Sequence, residues 1–237
     1  HGKLLALRPD LTLSIVKNYK SAPGYVEKTY YSENVYRIAK SDHSYKEILQ
    51  TGLECLGDID IYQICEVTVL AAKSLAAISP DYVLELSHMG IISAVLSEFD
   101  DETAAELLRC VSEKNISEIR KVCERKSIPK EKEELVLSIV SIYGGYRKVL
   151  ASLKKLKLPE AADEALSELE TICGVLSDCK MGKNINIDFS IVNHMAYYNG
   201  ILYRGFVKGL PDSILSGGQY DRLLQRMVKQ GKALGFG

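Results

Sequence analysis

The sequence has no excess of charge of either sign. Lysine and arginine number 30, aspartate and glutamate number 31, and the net charge is -1. Nucleic-acid-binding proteins usually carry a basic face, because contacts to phosphates supply much of their affinity. Lysines do cluster at Lys126–Lys132 and Lys154–Lys157, but each cluster contains or lies close to glutamate. We interpret both clusters as solvated helix faces and do not expect tRNA or DNA as a partner.

Long apolar segments are also missing. No apolar run approaches the roughly 20 residues that span a bilayer, and no basic segment followed by an apolar one marks a secretory signal. We therefore expect a cytoplasmic protein with no membrane partner. The sequence does not begin with methionine. Apolar, strand-like patterns continue up to its first and last residues. We expect that the natural chain continues at both ends.

Metal-binding cysteine patterns are absent from the sequence as well. The six cysteines form no C-x-x-C pair and have no histidine at ligand spacing, so we expect no zinc site. Most of them lie in apolar helical or strand patterns. We interpret them as free, buried, small hydrophobic side chains in a reducing compartment.

Three ranges differ in their hydrophobic periodicity. Residues 1–58 are β-rich with one helix, residues 59–182 are almost wholly helical, and residues 183–237 return to strands. The first and last ranges would be two parts of one core, and the middle range would be an insertion. The sequence therefore predicts an α+β fold, an antiparallel sheet flanked by helices with an all-helical insertion.

Several strands are predicted from alternation and from aromatic and β-branched residues. In the first range, Lys28–Ala39 and Tyr45–Leu56 predict a long antiparallel hairpin. A short strand is predicted near Asp81–Leu86 inside the helical range. The last range predicts strands at Asn184–Val192 and Tyr197–Val207.

Four short stretches, in the expected order, resemble the core of class II aminoacyl-tRNA synthetases and, within it, the histidyl branch. They are Leu7–Thr12 (LRPDLT), Val35–Arg37 with Tyr45–Glu54 (YKEILQTGLE), Tyr197–Gly200 (YYNG), and Ser216–Asp221 (SGGQYD) followed by Leu234–Phe236. They are similar to the family's L-R-P-E-G-T segment, its motif 2, its Y-Y-T-G stretch, and its G-G-G-R-Y-D segment with the start of motif 3. The resemblance implies the class II fold.

The resemblance also implies a site for the amine of histidine. Asp10, Thr12 and Gln50 match the family's amine-binding positions, and an ammonium group requires a carboxylate and neutral acceptors. Without the resemblance, Asp10 could equally be a helix N-cap. Gln50 lies on the same strand face as Glu54, because their offset is even, and both could simply face solvent.

For the imidazole ring, the resemblance implies an acceptor and an aromatic wall. Glu54 and Tyr197 match the family's ring-binding positions, and Tyr198 and Tyr220 could close the pocket. Neighbouring residues of a strand point to opposite faces. At least one of Tyr197 and Tyr198 could therefore be an ordinary core residue.

Two positions depart from the histidyl pattern. Histidyl enzymes place an arginine four residues before the paired tyrosines, where this chain has Asn193. Asparagine has no charge and cannot form a bidentate pair with a carboxylate. If Arg37 is the motif 2 arginine, which requires a one-residue gap, the glutamate expected two residues later is Ala39. Adenylation develops charge that preorganised cations must stabilise, so the departures imply a damaged activating site.

A synthetase-like core with such a pocket resembles the regulatory subunit of ATP phosphoribosyltransferase. The resemblance implies a non-catalytic protein that binds L-histidine as an effector, needs no cofactor, and mediates activation and histidine feedback in the first step of histidine biosynthesis. It implies a homodimer within a hetero-oligomer with the short-form catalytic subunit. Such allostery requires a coupling free energy between the histidine site and the partner's active site.

Two alternatives stay open. A histidine–tRNA ligase with divergent motifs would use ATP and Mg²⁺, and would take its carboxylate-binding cation from elsewhere, for example Arg204 or Arg222. A dimerising scaffold would have lost the ligand too. The helical range contains no residue set that indicates chemistry.

Overall fold

A mixed sheet of eight strands organises the chain. The computed structural model describes residues 6–38, 43–192, 197–227 and 229–237. The strands in chain order are β1 (Val26–Ile38), β2 (Tyr45–Gly57), β3 (Tyr82–His88), β4 (Tyr143–Gly145), β5 (Ile185–Asp188), β6 (Ile201–Val207), β7 (Leu215–Gln219) and β8 (Lys232–Phe236).

The strands lie in the order β1-β2-β8-β7-β6-β3-β5-β4. Neighbouring strands are antiparallel except β3 and β5, which run parallel. The predicted hairpin is formed by β1 and β2, which stay in register from Val26 opposite Gly57 to Ile38 opposite Tyr45. The predicted α+β class is confirmed, with one parallel pairing added to the antiparallel sheet.

Helices pack around this sheet. The α-helices in chain order are α1 (Thr12–Asn18), α2 (Ile61–Ile78), α3 (Met89–Leu96), α4 (Asp101–Ser112), α5 (Ile116–Arg125), α6 (Lys130–Ser141), α7 (Tyr146–Leu153), α8 (Asp163–Asp178) and α9 (Asp221–Arg226). Short 3-10 turns occupy Glu160–Ala162 and Gly182–Asn184.

Helix α2 covers one face of the sheet. It begins at a capping box in which Asp60 and Gln63 bond each other's backbone N–H groups, which satisfies donors that a helix N-terminus leaves free. Among the described helices, α2 is the one whose length and composition would allow it to cross a membrane, with 18 residues and a mean hydropathy of 1.4. Its Thr68 hydroxyl donates to the Tyr203 hydroxyl of β6 at 3.0 Å, and both residues are buried. We therefore interpret α2 as a core helix, whose apolar composition reflects its packing on the sheet.

The sheet takes strands from all three predicted ranges. The strand predicted inside the helical range is confirmed as β3, and it lies between β5 and β6 in the interior of the sheet. Helices α3 to α8 come from the same range, and α8 packs against α2 and α3. The division of the chain into 1–58, 59–182 and 183–237 stays a prediction.

Two predicted strands are shorter than expected. The strand predicted for Asn184–Val192 ends at Asp188, because the Asp188 carboxylate and carbonyl accept the N–H groups of Ser190 and Ile191 and turn the chain. The strand predicted for Tyr197–Val207 begins only at Ile201. The prediction that Tyr197 and Tyr198 point to opposite faces of a strand is therefore wrong.

All six cysteines are free in the structure. Five of them are buried, as predicted, and burial raises the pKa of the Cys173 thiol to about 12. Cys179 is exposed, so the interpretation as a buried hydrophobic side chain is wrong for this residue. It is the C-cap residue of α8, where the helix ends and the chain leaves the core.

Candidate functional site

A cavity of about 230 Å³ lies on the sheet face turned away from α2. This volume is below the roughly 300–1,000 Å³ of sites for drug-sized ligands, and it suits a molecule the size of an amino acid. Its walls come from the start of α1, the β1–β2 hairpin, the segment before β6, and the β7–α9–β8 region. The lining residues are Asp10, Thr12, Leu13, Tyr31, Arg37, Gln50, Glu54, Tyr197, Tyr198, Ser216, Gly217, Tyr220, Gly235, Phe236 and Gly237.

The cavity brings together every residue that the sequence placed in the histidine pocket. These are Asp10, Thr12, Gln50, Glu54, Tyr197, Tyr198 and Tyr220. Gln50 and Glu54 share one face of β2, as their even offset predicted, and that face forms the cavity rather than open surface. That these side chains bind histidine stays a prediction.

Glu54 is the carboxylate at the centre of the site. Its side chain is only 2% exposed. Thr12 donates its hydroxyl proton to Glu54 Oε1 at 2.6 Å, and the Tyr220 hydroxyl donates to Oε2. Burial raises the pKa of Glu54 to about 7, although both hydrogen bonds act in the opposite direction. The carboxyl group can therefore change its charge near neutral pH.

Two glycines lie beneath polar side chains that line the cavity. Gly235 of β8 lies opposite Glu54 of β2, and a Cβ atom there would overlap the Glu54 carboxylate. Gly52 lies opposite Tyr31, and a Cβ atom there would overlap the Tyr31 hydroxyl. The absence of side chains at these two positions is what allows polar groups to lie flat on the sheet.

A short polar network connects the cavity to the β1–β2 hairpin. Arg37 Nη2 donates to Gln50 Oε1 at 2.7 Å, and Gln50 Nε2 donates to the Tyr31 hydroxyl at 3.0 Å. Arg37 Nε also donates to the Pro9 carbonyl at 3.4 Å. The guanidinium group of Arg37 therefore supplies a positive charge at the cavity wall.

Asp10 lies one residue before Leu11, which is the N-cap of α1, so Asp10 does not occupy the N-cap position that the sequence left open. Asp10 Oδ1 accepts the backbone N–H of Leu13 in the first turn of α1, at 3.4 Å. This bond ties Asp10 to the start of α1. The same carboxylate lines the cavity, so its bond to α1 is compatible with a place in the site.

Three tyrosines form the aromatic wall. The rings of Tyr197 and Tyr220 are stacked with centroids 5.7 Å apart, and Tyr197 meets Tyr198 edge to face at 4.8 Å. Burial raises the pKa of Tyr198 to about 12 and raises that of Tyr197 further. The phenols therefore stay neutral near pH 7 and can donate or accept hydrogen bonds.

The buried carboxylate of Asp221 fixes this wall. Asp221 Oδ2 accepts from the side chains of Asn199 at 2.8 Å and Gln219 at 2.7 Å, and Oδ1 accepts the N–H of Ala233 at 2.8 Å. Its own N–H donates to Asn199 Oδ1 at 2.9 Å. Asp221 thus connects the segment that carries Tyr197 to the ends of β7 and β8.

The two positions that depart from the synthetase pattern, Ala39 and Asn193, lie outside the described residues. Their predicted effect on adenylation stays a prediction. Arg204 and Arg222, suggested as alternative cations, do not belong to the described lining of the cavity. Arg204 instead pairs across the sheet with Glu85 of β3.

Sequence reasoning missed Tyr31, Ser216 and the terminal Gly235–Gly237 segment as parts of the site. Tyr31 could have been found, because it lies opposite Gly52, midway between Gln50 and Glu54, and therefore shares their face. Ser216 and Gly237 bond each other's backbone, at 2.9 and 3.0 Å, across β7 and β8. That pairing depends on the whole sheet order and has no local signal.

Chemically, the cavity offers two carboxyl groups, one guanidinium group and neutral phenols. Asp10 can accept an ammonium group, Arg37 can donate to a carboxylate, and Glu54 can accept an N–H of a ring. The described residues contain no group of three or more side chains suited to holding a metal ion. The arrangement is suited to binding a small zwitterion.

Comparison with known proteins identifies the family of the chain. A family model described as histidyl-tRNA synthetase matches residues 1–237. An ATP phosphoribosyltransferase regulatory subunit of Caldanaerobacter subterraneus subsp. tengcongensis is 31% identical over 241 residues, covering 99% of the chain and 63% of the relative. The chain thus spans less than two thirds of the length of that relative.

Two solved structures have the same fold. A protein from Bacillus halodurans C, described as an ATP phosphoribosyltransferase regulatory subunit/histidyl-tRNA synthetase, is 27% identical with a TM-score of 0.83, covering 97% of this chain and 61% of that one. A chain of the ATP phosphoribosyl transferase (HisG:HisZ) complex from Thermotoga maritima is 21% identical with a TM-score of 0.79, covering 98% and 80%. The predicted class II synthetase-like fold is confirmed. Because the family model matches all 237 residues, the chain belongs to the histidyl-tRNA synthetase family.

Proposed function

We propose that this chain is the histidine-binding core of a regulatory subunit of ATP phosphoribosyltransferase. The observation that carries the proposal is the cavity around Glu54, where seven side chains expected for histidine meet in one small space. The chain shares its family with histidine enzymes, and the relatives at 27–31% identity over nearly its whole length are named as this regulatory subunit.

Each group of histidine would have a counterpart in the cavity. The ammonium group would bind Asp10, with Gln50 and Thr12 beside it, and the carboxylate would bind the Arg37 guanidinium. The imidazole would lie against the tyrosine wall and donate its N–H to Glu54. A site that holds a buried acceptor rejects analogues without the matching donor, because the acceptor would lose its partner. Phenylalanine should therefore bind poorly.

The regulatory role is supported by the similar chain in the Thermotoga maritima complex and by the names of the relatives. In this role the chain forms a homodimer within a hetero-oligomer with the short-form catalytic subunit in the cytoplasm. It binds L-histidine as its effector, and neither a cofactor nor tRNA takes part. Histidine inhibits by binding one quaternary state more tightly than the other, because a ligand shifts an equilibrium only through differential affinity.

A histidine–tRNA ligase is the second candidate, and one observation favours it. Arg37 places a cation at the cavity wall, where a synthetase would need one for the carboxylate of the amino acid or for ATP phosphate. This function would require bound ATP and Mg²⁺. Histidine-dependent exchange between pyrophosphate and ATP distinguishes it from a sensor, which would give no exchange. A scaffold without a ligand would show neither exchange nor histidine binding.

Replacing Glu54 by glutamine should weaken histidine binding. Glutamine keeps the size of the side chain but removes the charge, and one of its two acceptor positions becomes a donor. A hydrogen bond to a charged group contributes about 1.5–3 kcal/mol, so we expect the dissociation constant to rise by about ten- to hundredfold. Isothermal titration calorimetry with L-histidine measures this change.

The matched control for that titration is Glu47→Gln. Glu47 is exposed, lies on the same strand and faces the other side, where it bonds Asn34 and Tyr36. Its replacement should leave the affinity for histidine unchanged. Equal affinities for the wild type and Glu54→Gln would contradict the proposed role of Glu54, and no heat with the wild type would favour the scaffold.

Glu54 should also make the stability of the empty protein depend on pH. Its pKa rises from 4.5 in an unfolded chain to about 7 in the fold. The folded state holds the proton more tightly, so this contribution is complete below the unfolded pKa and is lost as the pH rises through the folded pKa. Between about pH 5 and about pH 8, the wild type should lose up to roughly 3 kcal/mol relative to Glu54→Gln. Urea unfolding of both proteins at each pH measures the difference, and parallel curves would contradict the burial of an ionisable Glu54.

The regulatory role is tested with a short-form ATP phosphoribosyltransferase catalytic subunit. The full-length protein that contains this chain should co-purify with it, raise its activity, and make that activity sensitive to histidine. The same preparation should give no histidine-dependent pyrophosphate exchange. Exchange activity without any effect on the catalytic subunit would contradict the regulatory role and favour the ligase.

A further inference from the structure

A basic groove lies at the edge of the sheet opposite the β1–β2 hairpin. It has a volume of about 500 Å³ and is bounded by the start of α7, the end of α8 and the first residues of β5. Four of its lining side chains are cations, namely Arg147, Lys148, Lys180 and Lys183, and no lining residue is acidic. The groove therefore concentrates positive charge in a chain whose net charge is -1.

These four cations have no ion-pair partner among the residues that the structure describes. Helix α5 differs in this respect, since its Arg120, Lys121 and Arg125 each lie within 3.3 Å of a glutamate oxygen. Acidic residues are as abundant as basic ones in this chain. The lack of counter-charge at the groove is therefore a local feature and does not follow from composition.

The position of two of these cations opposes the helix dipole. Arg147 and Lys148 occupy the first turn of α7, where the partial positive charge of a helix N-terminus favours anions. That turn contains no acidic residue, and its N-cap Gly145 provides no side chain for the free backbone N–H groups. An anion bound in the groove would satisfy both the side chains and the N–H groups.

Arg147 is already oriented towards the groove. Its Nη2 donates to Ser177 Oγ at 3.3 Å, and its guanidinium lies over the Tyr146 ring at 5.4 Å from the centroid. Both neighbours also line the groove. Lys180 follows the C-terminal end of α8, where a cation is favourable in any case. Arg147 and Lys148 differ from Lys180, because their position at the N-terminus of α7 is unfavourable for a cation unless an anion binds there.

We propose that this groove binds the phosphate group of a small phosphorylated molecule. A phosphate dianion accepts hydrogen bonds from guanidinium, ammonium and hydroxyl donors, and the groove is lined by an arginine, three lysines and the Ser177 hydroxyl. The site is one concave cluster, whereas a polynucleotide follows an extended basic stripe. The groove is separate from the cavity around Glu54, so the proposal does not depend on histidine binding.

The test uses pyrophosphate as the probe, titrated at constant ionic strength by calorimetry. The double variant Arg147→Ala/Lys148→Ala should weaken binding by at least about tenfold, because it removes two charge-assisted donors. The matched control is Arg120→Ala/Lys121→Ala, which removes an adjacent arginine–lysine pair of the same exposure from α5. The control should keep the affinity of the wild type within about twofold, because neither residue lines the groove. Both double variants lose the same net charge, so the comparison separates a local site from general attraction of anions.

Several outcomes would overturn the proposal. These are no measurable binding by the wild type, an unchanged affinity in the groove variant, or an equal loss in the two double variants. Tighter binding of a single-stranded oligonucleotide than of pyrophosphate, at equal phosphate concentration, would overturn the assignment to a small molecule. If circular dichroism shows that the groove variant is unfolded, Lys183→Ala decides instead, and an affinity equal to that of the wild type would count against the site.

Discussion

The burial of the Glu54 carboxylate is the constraint around which the site is built. A carboxyl group away from water needs donors, and Thr12 and Tyr220 provide them from two distant parts of the chain. Thr12 begins α1 before the hairpin, and Tyr220 follows β7 at the other end of the sequence. One side chain of β2 thereby fixes how the two ends of the sheet core meet.

Other features of the region become understandable from that constraint. Gly235 must lack a side chain because the Glu54 carboxylate occupies the space above it. Tyr220 is held by its neighbour Asp221, whose carboxylate accepts hydrogen bonds from Asn199, Gln219 and Ala233. Two buried carboxylates therefore have different roles. Asp221 holds strands and segments together through four hydrogen bonds of its carboxylate and its N–H group. Glu54 instead faces the cavity, and burial raises its pKa although Thr12 and Tyr220 donate to it. Groups with strongly shifted pKa values are concentrated at functional sites.

Local sequence patterns were sufficient to predict the β1–β2 hairpin and the shared face of Gln50 and Glu54 on β2. Alternation in β1 and β2 has a fixed period, so Gln50 and Glu54 could be assigned to one face before the fold was known. The segment before β6 could not be assigned in this way. Tyr197 and Tyr198 leave the strand because Asn199 bonds the Gln219 carbonyl and the Asp221 carboxylate, both distant in sequence. The basic groove escaped sequence reasoning for the same reason, since Arg147 and Lys183 line one groove only because the start of α7 lies beside the end of α8 and the turn after it.

The central claim is that the cavity around Glu54 recognises histidine through a buried carboxylate, and a crystal structure with L-histidine tests it most directly. The account predicts an imidazole N–H within hydrogen-bond distance of Glu54, the ammonium group at Asp10, and the carboxylate at Arg37. A crystal grown at saturating histidine in which the cavity lacks the ligand would contradict it. So would a bound histidine whose ring points away from Glu54.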